Sequence, residues 1–249
     1  MSFTILNRHM SRKAIVIGAS SGIGRELAKI LGREGYEVGL VARRLELLHE
    51  LQKEMPTKTW VEPSDVTDLD RARQSLQFLL QKMGSVDLIV VNAGFFSNNQ
   101  DFVWEKERQT IEVNVLGFAA MAHTAMAYFL QEGKGHLVGI SSVSGIRGER
   151  NTPSYSASKA FVSTFLEALQ AKVYAEKRAI SITDIQPGWV DTAMAVDQDV
   201  FWMAPRDVAA QQMYTAIERK KAHAYVTGRW RLIAWVLKLL PRWIYVRLF

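Results

Sequence analysis

At 249 residues, 48% of them apolar, the chain is long enough to bury a full core; six scattered prolines and sixteen glycines mark no linker or repeat, so one domain is expected. The absence of cysteine excludes disulfides and thiolate metal sites, and the five histidines (9, 49, 123, 136 and 223) lack ligand-pair spacing, so no metal is expected. The formal net charge of +6 belongs to one end: residues 219–249 carry eight Lys and Arg and no acid, leaving −2 on the rest, so the body has no positive field to attract nucleic acid.

Residues 1–12 read as a short extension. Their apolar stretch, 3–6, contains a Thr and is followed by Arg8, too little for the core of an export signal, so a cytoplasmic location is expected. From residue 13 onward, apolar runs at 14–18, 38–42, 59–61, 88–91, 137–140 and 180–185 alternate with helix-period segments near 23–34, 44–54, 68–83, 103–131 and 153–177. Near-continuous Val/Ile strands separated by helices predict a parallel sheet covered on both faces, with ligands outside the carboxyl ends of the strands.

The first strand-to-helix junction is Gly18-Ala19-Ser20-Ser21-Gly22-Ile23-Gly24. Glycines there permit a tight turn and close approach of a pyrophosphate, which free N–H groups and the helix dipole attract. The second strand ends in Ala42-Arg43-Arg44, where an acid would instead hold ribose hydroxyls. Two guanidinium groups, with the Ser20 hydroxyl, suit a 2′-phosphate, so NADP is expected over NAD. Within the helical segment 103–131, Asn114 is a poor helix former flanked by Val113 and Val115, which favours a buried role.

Tyr155 and Lys159 are one helical turn apart, on one face of a helix for which Thr152 looks like the N-cap and Pro153 the first residue. A neighbouring ammonium and the positive end of the helix dipole are both expected to lower the phenol pKa toward the working pH. Two aromatic-rich segments should overhang this point. The first starts at Phe95 and Phe96; the second, a substrate loop over 189–204, holds Trp189, Met194, Phe201 and Trp202. Phe95, Ser144, Trp189, Met194, Phe201 and Trp202 are the candidate substrate residues; such a wall favours an apolar or bulky ligand over a small charged one, the alternative being rings that simply close the loops against the body.

The tail, 229–249, is basic and carries three of the seven tryptophans. In projection Leu232, Ile233, Val236, Leu237 and Leu240 form one apolar stripe opposite Arg231 and Lys238. Lys238, Pro241, Arg242 and Arg247 leave no run near the roughly 20 apolar residues of a membrane span. Two placements stand open for this helix: flat in a membrane interface, or packed on its own domain or a second subunit.

Taken together, Gly18-x3-Gly22-x-Gly24, Asp65-Val66, Asn92-Ala93-Gly94, Asn114, Ser142, Tyr155-x3-Lys159, and Pro187-Gly188 with Thr192 resemble the short-chain dehydrogenase/reductase family over about 13–227. One departure is Ile17, where many members have Thr before the first glycine. The resemblance implies a Rossmann-type, doubly wound α/β sheet of about seven parallel strands over 13–228, and a homo-oligomer, dimer or tetramer. It makes Tyr155 the acid/base of hydride transfer between a carbonyl and an alcohol. Lys159 lowers the Tyr155 pKa and holds the nicotinamide ribose, Ser142 positions the carbonyl oxygen, and Asn114 anchors a water relay. For NADP(H), it implies adenine contacts at Asp65 and Val66, a cleft lining at Asn92, Ala93 and Gly94, and a nicotinamide segment at Pro187, Gly188, Val190 and Thr192. The rival reading is a non-catalytic dinucleotide-binding regulator; retention of Asn114, Ser142, Tyr155 and Lys159 together argues against it.

Overall fold

The computed structural model describes residues 11–192 and 202–248. The order is β1 (Lys13–Ile17), α1 (Gly22–Arg33), β2 (Glu37–Ala42), α2 (Leu45–Glu54), β3 (Thr59–Pro63), α3 (Leu69–Met83), β4 (Leu88–Val91) and α4 (Trp104–Ile111). A π-helical turn (Glu112–Gly117) leads into α5 (Phe118–Glu132), then β5 (Lys134–Ile140), a 3-10 turn (Val143–Ile146), α6 (Pro153–Ala175) and β6 (Ala179–Pro187). The chain closes with α7 (Arg206–Glu218), β7 (His223–Val226), α8 (Trp230–Leu239) and α9 (Arg242–Leu248).

All seven strands are parallel, in the order β3-β2-β1-β4-β5-β6-β7. The expected doubly wound architecture is therefore present, and the order reverses between β1 and β4, where a crevice opens beyond the strand ends. The sheet's period of two sends successive residues to opposite layers. Ile15 and Ile17 join Leu76, Phe118 and Leu166 on the α3/α5/α6 face. Ala14 and Val16 join Leu27, Leu48 and Met213 on the α1/α2/α7 face. Two buried layers thus fix the strand register, and with it the height of every loop around the crevice.

The helix expected over 103–131 runs without a break from Trp104 to Glu132, with the π-helical turn that contains Asn114 inside it. Two elements depart from the sequence-based expectation. Both α7 and β7 lie beyond the apolar runs: the four residues of β7 make too short a run to stand out, and pairing with β6 makes them a strand.

Candidate active site

The crevice is built from the glycine turn inward. Gly18 has φ +90°, and a Cβ there would meet the Ala93 nitrogen at 2.6 Å, so the β1–α1 turn and the strand β4 exit touch backbone to backbone. Asn92 Nδ2 donates to the Gly18 carbonyl at 3.0 Å and ties the two loops together. A Cβ on Gly24 would collide with that same carbonyl, while Gly22 faces the Thr192 methyl. Gly18, Ser20, Ser21, Gly22, Ile23, Asn92, Ala93 and Gly94 line one cleft with Asp65, Val66, Pro187, Gly188, Val190 and Thr192. Of the expected cofactor residues, only Gly24 acts from behind that lining.

The two arginines divide their work. Arg44 Nη2 donates to Ser21 Oγ at 2.9 Å and to Ser20 Oγ at 3.1 Å, so its charge lies over the glycine turn. Arg43 instead lies 3.6 Å from Asp65, whose carboxyl also accepts from Thr67 and is held below its usual pKa by those bonds and by Arg43. That ion pair is exposed and weak enough for a phosphate to compete with it.

At the inner end, Ser142, Tyr155 and Lys159 line the same cleft. Ser142 follows β5, donates to the Pro187 carbonyl at 3.3 Å and accepts from the Ser144 N–H at 3.1 Å. Lys159 is buried and donates to the Ile140 carbonyl at 3.0 Å. Asn114 is 1% exposed and clamps Phe95 on both sides: its Oδ1 accepts from Phe95 N at 2.7 Å and its Nδ2 donates to Phe95 O at 2.8 Å. The same Nδ2 donates to Ser158 Oγ at 3.1 Å, and Ser158 in turn donates to the Tyr155 carbonyl. Gly94 lies between Asn114 and Lys159, since a Cβ there would be 3.5 Å from Asn114 Oδ1 and from Lys159 Nζ. A π turn at functional sites is a recurrent device, and here it sets the asparagine behind the cleft wall, bonded to Phe95 and Ser158, while Ser142, Tyr155 and Lys159 line the cleft itself.

A family model described as short chain dehydrogenase matches residues 12–200. The chain belongs to this family. An uncharacterized oxidoreductase of Myxococcus xanthus is 37% identical over 89% of this chain and 88% of its own length. A Mycobacterium tuberculosis protein, also named an uncharacterized oxidoreductase, is 33% identical over 86% and 88%. Among solved structures, actinorhodin polyketide ketoreductase with NADPH is 25% identical at TM-score 0.78, covering 92% of this chain and 98% of that one. A 7β-hydroxysteroid dehydrogenase, at TM-score 0.80 and 21% identity over 95% of each chain, shares the fold. This family member is thus an oxidoreductase, and its structural neighbours include one with bound NADPH.

Electrostatics in this short-chain dehydrogenase differ from the sequence expectation. Burial pushes the Tyr155 phenol up to about 12; a hydrogen bond with Ser142 works against that, and the Glu149 charge adds to it. Burial also brings Lys159 down to about 8, opposed by the field of Asp184. The helix-dipole argument is blunted because carboxylates occupy the start of α6. Glu107 of α4 accepts from Ser154 N at 3.1 Å, and Thr152 sits at the N-cap position but turns its hydroxyl to Glu149.

The substrate end also needs correction. Phe95 lines the cleft, but its ring packs on the α3/α5 core. The ring that meets the phenol is Phe96, edge-on to Tyr155 with centroids 4.9 Å apart and 6.1 Å from Trp189. Ser144 and Trp189 line the cleft. Trp202 does not: its carbonyl accepts from Arg229 at 2.8 Å and its ring lies under that guanidinium. Met194 and Phe201 fall outside the described residues. Sequence reasoning missed Asp184, a buried carboxylate inside β6 that accepts from Ser141, Ser163 and Gln186. The one acid inside the apolar run expected to form a buried strand was the available signal.

Proposed function

We propose that this protein is an NADP(H)-dependent reductase of apolar carbonyl compounds, with Tyr155 as the proton donor. The observation that carries it is the convergence of Ser142, Tyr155 and Lys159 at the inner end of a cleft whose outer end is a glycine cradle under Arg44. Bound NADPH supplies the hydride. Ser142 holds the carbonyl oxygen, and Tyr155 protonates that oxygen as negative charge develops on it. A phenol raised by burial carries its proton at neutral pH, as the donor to a carbonyl oxygen must. Lys159 supplies positive charge that stabilises the phenolate left behind, and the Asn114 clamp fixes the wall beside it. Phe96 and Trp189 give the substrate an aromatic seat.

The test is NADPH consumption over a panel of ketones, aldehydes, sterols and acyl thioesters. Tyr155→Phe is expected to lower turnover by about 10²- to 10⁴-fold with NADPH affinity retained. Full turnover by that variant would refute the assignment of the proton donor. NADPH binding with no turnover on any of the panel favours the non-catalytic regulator.

A further inference from the structure

The tail is neither a loose end nor a buried helix. One face of α8 is docked: Trp230 and Ala234 are buried, and Ile233, Leu237 and Leu240 are half-buried. Arg147 donates to the carbonyls of Leu237 and Leu240, and Tyr245 of α9 donates to the Gly148 carbonyl at 2.9 Å. The expected apolar stripe is therefore split, with Leu232 and Val236 pointing the other way. They join Trp235 and Leu239 of α8 and Trp243 and Val246 of α9, every one of them more than half exposed. Along one edge of this apolar face run Arg231 and Lys238, two helical turns apart. They flank a groove against the edge strand β7 that Tyr225 and Trp235 also line. Among the described residues no carboxylate pairs with Arg231, Lys238, Arg242 or Arg247, and residues 219–249 contain no acid.

We propose that α8 and α9 form a docking surface for a bilayer containing anionic lipid. The charge distribution selects this occupant over a second copy of the chain. A two-fold contact of this face with itself would set cations against cations with no acid in the segment to interleave. An anionic membrane satisfies both halves of the surface at once: lipid phosphates meet the Arg and Lys residues, while the Trp rings and Leu side chains enter the headgroup boundary. At ten and seven residues the helices are too short to span, so they lie flat. Because their anchors, Arg147 and Gly148, belong to the segment between Ser142 and Tyr155, the docked face adjoins the substrate end of the cleft. On the reading of the preceding section, a carbonyl compound dissolved in the bilayer is then the substrate nearest to hand.

The experiment is flotation of the full-length protein with phosphatidylcholine vesicles, with and without phosphatidylglycerol, at low and high salt. Expected is binding to the anionic vesicles that weakens with salt. Arg231→Gln with Lys238→Gln should weaken it about 30-fold, at about fivefold per surface cation. Trp235→Ser with Leu239→Ser should abolish it, while NADPH affinity and thermal melting stay unchanged in both variants. No flotation of the unaltered protein, or equal flotation of all three forms, overturns the proposal. So does a dimer in analytical ultracentrifugation that Trp235→Ser with Leu239→Ser converts to monomer, since the face is then covered by a second copy. Vesicle binding does not depend on turnover: flotation without NADPH consumption would sink the reductase reading and leave the docking surface standing.

Discussion

Lys159 and Asp184 set the pH at which the inner cleft is charged. Burial works against the ammonium and the Asp184 carboxylate works for it, leaving Lys159 near 8, cationic below that pH and neutral above. Asp184→Asn keeps hydrogen-bonding capacity toward Ser141 and Ser163 but removes the field, so the ammonium loses its proton at lower pH. The alkaline limb of kcat/KM for carbonyl reduction is therefore expected to move downward in that variant. An unmoved limb with merely lower activity would make Asp184 a packing residue. At the opposite end of the cleft, Arg44 is the cation already bonded to Ser20 and Ser21. Arg44→Ala should raise the dissociation constant of NADPH by about 10- to 100-fold, the span of one charge-assisted hydrogen bond, and leave NADH nearly unchanged in a fluorescence titration. Equal loss for both dinucleotides would remove Arg44 from the 2′-phosphate.

Among the elements, α8 and the β6 exit depend on each other. No side chain fits between Gly188 and the Trp230 indole, so the segment Pro187-Gly188-Trp189 rests directly on the first residue of α8. The Gly188 N–H also donates to the Val226 carbonyl at 2.6 Å, which holds the segment to the end of β7. Gly188→Ala is expected to overpack this joint by about 1–3 kcal/mol, a fall in Tm of about 2 to 12 °C. Adding Trp230→Leu should recover part of the loss, because the smaller side chain makes room for the new methyl. Additive losses in differential scanning calorimetry would mean that the two positions do not press on each other. Of this joint the sequence showed only the glycine. That an indole 42 positions later lies against it is a tertiary fact with no local period to reveal it.

At the scale of the molecule, the sheet and the residues that line the candidate site were legible because each has a local signature: apolar runs between turns, glycines at the first junction, Tyr155 and Lys159 one turn apart. What stayed hidden depends on contacts between distant elements. The π turn breaks the 3.6 repeat just where Asn114 must face inward, so periodicity reads through it as one helix. Phe95 and Phe96 are adjacent and alike, and nothing local distinguishes the ring that packs on the core, beside the Asn114 clamp, from the one that reaches Tyr155. The phenol pKa went the other way because burial, with a smaller addition from the Glu149 charge, outweighs the hydrogen bond with Ser142. A last feature joins the segment after β6 to the start of α7. Val190 bridges Ala204, Asp191 N donates to Ala204 O, Ala204 N donates to Trp189 O, and Asp191 pairs with Arg206 at 3.2 Å. These bonds work as a clasp: they hold Trp189 and Val190, which line the cleft, from the first turn of α7, so the position of that wall is set by an element on the opposite face of the sheet from α6.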